Sequence, residues 1–242
     1  MKKENVLFGI VGLIIGLIIG FAITNAINRN AYSQMAIESA PNAALSGNQP
    51  QVSNQVVRDQ PGRGGAMPQI QQTIDRAKNE PGNFAAQMEA GEIYNRIQRF
   101  DEAADFFEKA IQIKPDDYDA VVKAGNARFD AGAIKMENGG DGTEDFKRAE
   151  KIYDAALAKN PNDPGVRTDL GLTYFYRKPK DIERALKEFQ TSLVSDPNHE
   201  MTLQVMARAL KEKGDAAALK ETLAKLEKVN PNNSTLKQLR TQ

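Results

Sequence analysis

Ala90-Gly91-Glu92-Ile93-Tyr94, followed by Asp101-Glu102-Ala103-Ala104-Asp105-Phe106-Phe107-Glu108-Lys109-Ala110 and closed by Lys114-Pro115, is the stretch that decides the fold. It reads as two amphipathic helices. Helix A is expected near Phe84–Ile97 and helix B from Asp101, a residue suited to an N-cap, up to the proline. Ala90, Gly91, Ala103 and Ala110 are small enough to let the two helices approach closely. Tyr94 and Phe107 are placed to fill the space between them.

Working outward, the closing proline recurs at Pro81, Pro115, Pro161, Pro197 and Pro231, at separations of 34, 46, 36 and 34 residues. Each is followed by Asn, Asp or Gly, which accept turns and cap the next helix. The interval after Pro115 carries Ala124-Gly125, then Ala149, Tyr153 and Ala156. The next carries Leu170-Gly171, Tyr174, Ala185 and Phe189. The last is weaker, with Met206-Ala207, Leu210, Gly214, Leu223 and Leu226.

A small pair, a tyrosine, then Ala, Phe, Ala and Pro over 34 residues resembles the tetratricopeptide repeat. The likeness covers about Asn83 to Pro231 and implies an all-α solenoid of helix-turn-helix units with repeats near 84–117, 118–163, 164–199 and 200–233. The pattern departs at its usual early aromatic position, held by Gln87, Val121, Arg167 and Leu203, and Arg128 stands where the second unit should have tyrosine. Pro68–Asn79 reads as an unpaired helix B and Ser234–Arg240 as a short closing helix, the caps a solenoid needs. Together these set a repeat domain at 68–242.

The long interval holds twelve additional residues between Ala133 and Phe146, with Glu137-Asn138-Gly139-Gly140-Asp141-Gly142 at their centre. The glycines demand a loop, while a helix can lengthen into the insert from either side. Asp141, Glu144 and Asp145 lack the alternating ligands and terminal glutamate of a calcium loop, so a solvated loop is expected and no metal.

Upstream the chain changes character. Val6 to Ile23 is eighteen uncharged, mostly aliphatic residues, roughly 27 Å as a helix against a hydrocarbon core of about 30 Å. Residues 1–27 are therefore expected to be a single-pass anchor. The rival reading, a cleaved signal peptide, has a shorter apolar run and a better cleavage site than Thr24-Asn25-Ala26. Lys2, Lys3 and the amino terminus outweigh Arg29, which puts the N-terminus in the cytoplasm and the repeat domain outside the inner membrane. Gly12, Gly16 and Gly20 share one helix face and suggest a close-packed dimer of anchors. Residues 28–67, rich in Asn, Gln, Ser, Gly and Pro, read as a flexible tether reaching on the order of 35 Å.

The chemistry of catalysis is missing from the pattern. Cysteine is absent and formal net charge is zero, which removes thiolate chemistry and any broad field for nucleic acid. His199, the one histidine, is expected on a surface turn. Asp116, Asp117 and Asp119 read as helix-capping carboxylates. No phosphate loop, nucleophile elbow or paired-histidine motif occurs, so neither an enzyme nor a cofactor is expected.

The resemblance implies instead that helix A lines a concave groove for a peptide or protein partner. By register the groove residues are Met88, Glu92, Asn95 and Arg96; Val122, Asn126 and Phe129; Thr168, Leu172, Phe175 and Tyr176; and Gln204, Arg208 and Lys211. Asn126 matches one position of the family's carboxylate clamp. Val122, Met88 and Glu92 do not supply the rest, so a chaperone tail is not the expected ligand. The resemblance to envelope and cytochrome c biogenesis modules implies a scaffold in assembly, secretion or cytochrome maturation. The alternatives are a self-assembling structural membrane protein with no separate ligand, and a secreted soluble repeat domain if the N-terminus is cleaved.

Overall fold

The computed structural model describes residues 66–240, and all of their regular structure is helical. α1 spans Ala66–Asn79, α2 Phe84–Arg96, α3 Phe100–Ile113, α4 Tyr118–Glu137, α5 Thr143–Lys159, α6 Pro164–Tyr176, α7 Ile182–Ser195, α8 Glu200–Lys213, α9 Ala216–Val229 and α10 Ser234–Arg240. Four hairpins follow a lone first helix: α2/α3, α4/α5, α6/α7 and α8/α9. Among the described residues no helix is long and apolar enough to cross a membrane. The expected span Val6–Ile23, its glycine face and the tether as far as residue 65 lie outside them; Ala66 and Met67, expected in the tether, open α1.

Capping starts most of these helices where the turn residues stand. Asn83, Asp117, Asp163 and Asp215 accept from the backbone N–H three residues on, at 2.9–3.1 Å, and satisfy a donor the helix cannot. Asp181 does the same for α7. The expected cap at Asp101 is corrected. α3 begins at Phe100 with Arg99 before it and no side-chain cap, because Asp101 lies inside the first turn and its carboxylate is drawn to Lys135.

Three of the four hairpins are closed by one device. A β-carbon placed on Gly91 would lie 2.6 Å from the Phe107 ring, on Gly125 2.6 Å from Tyr153, and on Gly171 2.5 Å from Phe189. In three successive repeats a helix-A glycine thus receives the ring of a helix-B aromatic. Phe107, Tyr153 and Phe189 are almost wholly buried by it. The fourth repeat has Ala207 and Leu223 at the same register, and closes with aliphatic packing around Leu203 and Leu226.

The insert in the second repeat lengthens both helices. α4 runs to Glu137 and α5 begins at Thr143, leaving a loop over 138–142. Gly142 is forced by a close approach: a β-carbon there would lie 2.1 Å from the carbonyl oxygen of Gly132. Flanking the insert, Phe129 and Phe146 are buried with their rings 5.2 Å apart.

Candidate partner-binding face

Helix-A rows make the inner side of the stack. α4 packs on α6 and α6 on α8, whereas no two helix-B members among the described residues pack so closely. A solenoid bends toward the row whose members touch, so residues of helix A that face away from helix B look into the concavity.

The expected groove residues divide into two groups. Glu92, Asn95 and Arg96 are exposed, and Met88, Val122, Asn126, Tyr176, Gln204, Arg208 and Lys211 are half-buried. Phe129, Thr168, Leu172 and Phe175 are buried, at 3, 0, 1 and 7% exposure. For these four the groove assignment is corrected. α6 touches helix A on both sides, so its inward positions are spent on packing, and Phe129 lies beneath Phe146 and Tyr176. Tyr176 remains at the rim, 5.3 Å from the Phe175 ring and hydrogen-bonded to Arg208; burial raises its phenol pKa.

The open part of the face lies on α2 and α4. Lys123 Nζ bridges the two helices, 2.7 Å from Glu92 and 2.8 Å from Asp119. Tyr153 donates to Asn126 Oδ1 at 2.9 Å. The amide oxygen of Asn126 is thereby committed to its own repeat, and the NH2 end is left for the inner face. Met88 and Val122 supply apolar surface beside these polar groups. An extended chain needs such a mixture, apolar spots for side chains and a donor for a carbonyl.

Two polar assemblies escaped the sequence reading. Thr168, Ser192 and Thr202 form a buried hydroxyl cluster, with Thr168 Oγ1 2.6 Å from Thr202 Oγ1 and 3.1 Å from Ser192 Oγ. Ser192 Oγ lies 2.9 Å from Thr202 Oγ1, and Thr168 and Ser192 both donate to the Pro164 carbonyl. His199 joins through Nδ1, 2.6 Å from Thr202 Oγ1, and is 8% exposed. The expected surface histidine is therefore a buried one. Burial lowers its pKa, against the opposing fields of Asp196 and Asp163. Hydroxyls and imidazole together satisfy one another at the joint of the third and fourth repeats.

The second assembly surrounds Arg128, whose side chain is 3% exposed. Asp105, Glu108, Asp101 and Asp145 lie 3.0, 2.7, 3.7 and 3.6 Å from its guanidinium. In the third repeat the same register holds Tyr174, which donates to Glu150 at 2.9 Å and carries Arg177 and Arg184 over its ring. The three insert carboxylates weighed for calcium are dispersed over separate partners. Asp141 accepts from Thr143, Glu144 pairs with Lys147, and Asp145 pairs with Lys135.

No curated protein matches the chain. Among solved structures, YrrB, described as a tetratricopeptide-repeat protein with an unusual peptide-binding site, is 19% identical. The match covers 73% of this chain and 86% of that one, with a TM-score of 0.57. MamA from Desulfovibrio magneticus RS-1 is 18% identical over 71% of this chain and 89% of that one, TM-score 0.56. TTC0263 of Thermus thermophilus, a thermophilic protein of the same repeat class, is 13% identical over 71% and 87%, TM-score 0.53. At such identities the likeness is one of fold. The tetratricopeptide repeat pattern itself matches residues 64–118 and 142–200. With a helix-A glycine closed on a helix-B ring in three repeats, the helical domain of this chain has the fold of the tetratricopeptide-repeat proteins and carries their repeat pattern over those residues.

Proposed function

We propose that the protein is a membrane-tethered, non-catalytic scaffold whose inner helix-A face holds a segment of another protein. The observation that carries this reading is the open seam between α2 and α4. There Met88, Glu92, Val122 and Asn126 remain accessible, while the equivalent positions of α6 are packed shut. A face left half-open with mixed chemistry suits a short extended segment better than a broad globular surface. YrrB, described as having a peptide-binding site, supports the class of ligand by fold alone.

The tether and anchor are read from residues 1–67. The apolar run Val6–Ile23, flanked by Lys2 and Lys3, would place the repeat domain on the extracytoplasmic side of the inner membrane. The polar tether would hold it there with free orientation, in a setting such as envelope assembly, secretion or cytochrome maturation.

The test is site-specific photocrosslinking in native membranes. A benzophenone side chain at Val122 should yield a discrete adduct with a second protein. One at Val194, 82% exposed on the outer row, should not. Equal adducts from both positions, or an adduct of the chain with itself at Val122, would reject the groove reading. Reporter fusions before Val6 and after Gln242 decide the topology independently.

A further inference from the structure

The twelve-residue insert and the tyrosine-to-arginine departure at Arg128 occur in the same repeat, and the structure ties them together. Lys135 and Asp145 both belong to the insert. Lys135 Nζ lies 2.9 Å from Asp101 on α3 and 2.8 Å from Asp145 on α5. Asp145 in turn lies 3.6 Å from Arg128, whose remaining partners, Asp101, Asp105 and Glu108, are all on α3. The far side of the insert reaches the next repeat. The Lys178 backbone N–H donates to Thr143 Oγ1 at 3.0 Å, and the Phe146 and Tyr176 rings stack at 6.1 Å.

We infer that the inserted hairpin is a clamp joining three consecutive repeats, ionic toward the first and uncharged toward the third, which fixes the seam between α2 and α4. An ordinary repeat meets its neighbours through one packed helix on each side. Here the added turns give the second repeat additional bonds in both directions. They matter most on the first-repeat side, where a buried guanidinium replaces the usual ring. Arg128 alone faces three carboxylates of α3. Lys135 brings a second positive charge to that group, and Asp145 links the two cations from the opposite helix.

The two sides of the clamp respond differently to salt. Lys135 and Asp101 are 39 and 52% exposed, so ions reach that bridge. Arg128 itself is 3% exposed and its nearest partner, Glu108, 27%, so that pair is screened less. The Thr143–Lys178 hydrogen bond and the ring stack have no ionic partner to screen. Added salt therefore loosens the first repeat from the second, which widens the seam beside Glu92 and Lys123, while the second and third stay joined through these contacts and the sheltered Arg177–Glu150 pair, 20 and 17% exposed.

Amide hydrogen exchange on the full-length chain tests this, with the wild type and three variants compared at about 0.05 and about 1 M NaCl. In the wild type, salt should speed exchange in Phe100–Ile113 roughly threefold, the scale of one half-exposed pair, and leave Ala216–Val229 unchanged. Lys135→Ala should exchange at the faster rate already in low salt, with no further response. Asp145→Asn leaves the Lys135–Asp101 bridge in place, so it should speed α3 exchange in low salt by less than Lys135→Ala does and keep a salt response. Thr143→Val should speed exchange at 177–181 and spare α3. The clamp is refuted if Lys135→Ala exchanges like the wild type in α3, or if salt speeds α3 and α9 alike. None of these readouts needs a partner, so the result stands apart from the groove reading.

Discussion

Gly171→Ala should destabilise the protein, although alanine is the better helix former. In an open helix the exchange favours folding by about 1 kcal/mol. Here the new methyl would sit 2.5 Å from Phe189 Cε1, 2.7 Å from Cδ1 and 3.2 Å from the Ala185 carbonyl oxygen. Carbon atoms rest at about 3.5–4.0 Å, so the ring must retreat by about 1 Å. Phe189 is fully buried, so its retreat must displace other core side chains. Overpacking of this kind costs about 3 kcal/mol at the upper end of its range. Set against the propensity gain, a net loss of about 2 kcal/mol follows, or roughly 4–8 °C in melting temperature for a domain of this size. Urea unfolding and thermal melts followed by circular dichroism give the value. The decisive arm is the same substitution in a Phe189→Leu background, where the ring is gone and the methyl should be tolerated or mildly stabilising. If Gly171→Ala costs the same in both backgrounds, or stabilises the wild type, the glycine–ring closure is not what holds the hairpin.

Three further outcomes follow from particular contacts. Gln98 adopts φ 60° at the turn between α2 and α3, at the register where the fourth repeat has Gly214 at φ 82°; Gln98→Gly should raise the melting temperature, relieving about 1 kcal/mol of left-handed strain less the entropy glycine loses on folding. Thr202→Val removes the hydroxyl that Thr168, Ser192 and His199 share; it should cost about 2 kcal/mol in thermal or urea unfolding, because the groups left behind are buried. His199 has its folded-state pKa lowered by burial from 6.5, so the unfolded chain takes up the proton first. Its contribution is complete above about pH 6.5 and is lost as the pH falls below that value toward the folded-state pKa. Melting temperature should therefore drop more between about pH 7.5 and about pH 5 in the wild type than in His199→Gln, and equal drops would remove His199 as the cause.

The repeat spacing, the capping residues and the small-residue pairs determine the architecture by themselves. These are local features. A proline ends a helix, an aspartate caps one, and Ala90-Gly91 opens a face wherever it is placed; Asp117 caps as expected, and after Pro81 and Pro161 the cap falls on Asn83 and Asp163, the second residue past the proline instead of the first. The groove was only partly legible for the same reason. Register says which way a side chain points relative to its own partner helix and says nothing of how near the next repeat will lie. Thr168, Leu172 and Phe175 point inward as expected, yet α4 and α8 close over them. His199 and Thr202 are three residues apart, but Thr168 and Ser192 reach them from other helices, so neither the hydroxyl cluster nor the buried imidazole had a sequence signal. Arg128 was visible as a departure from the pattern, and the insert as a length. That Lys135 and Asp145 complete its charge network was decided only by tertiary packing, which brings side chains from three helices within 4 Å of one another.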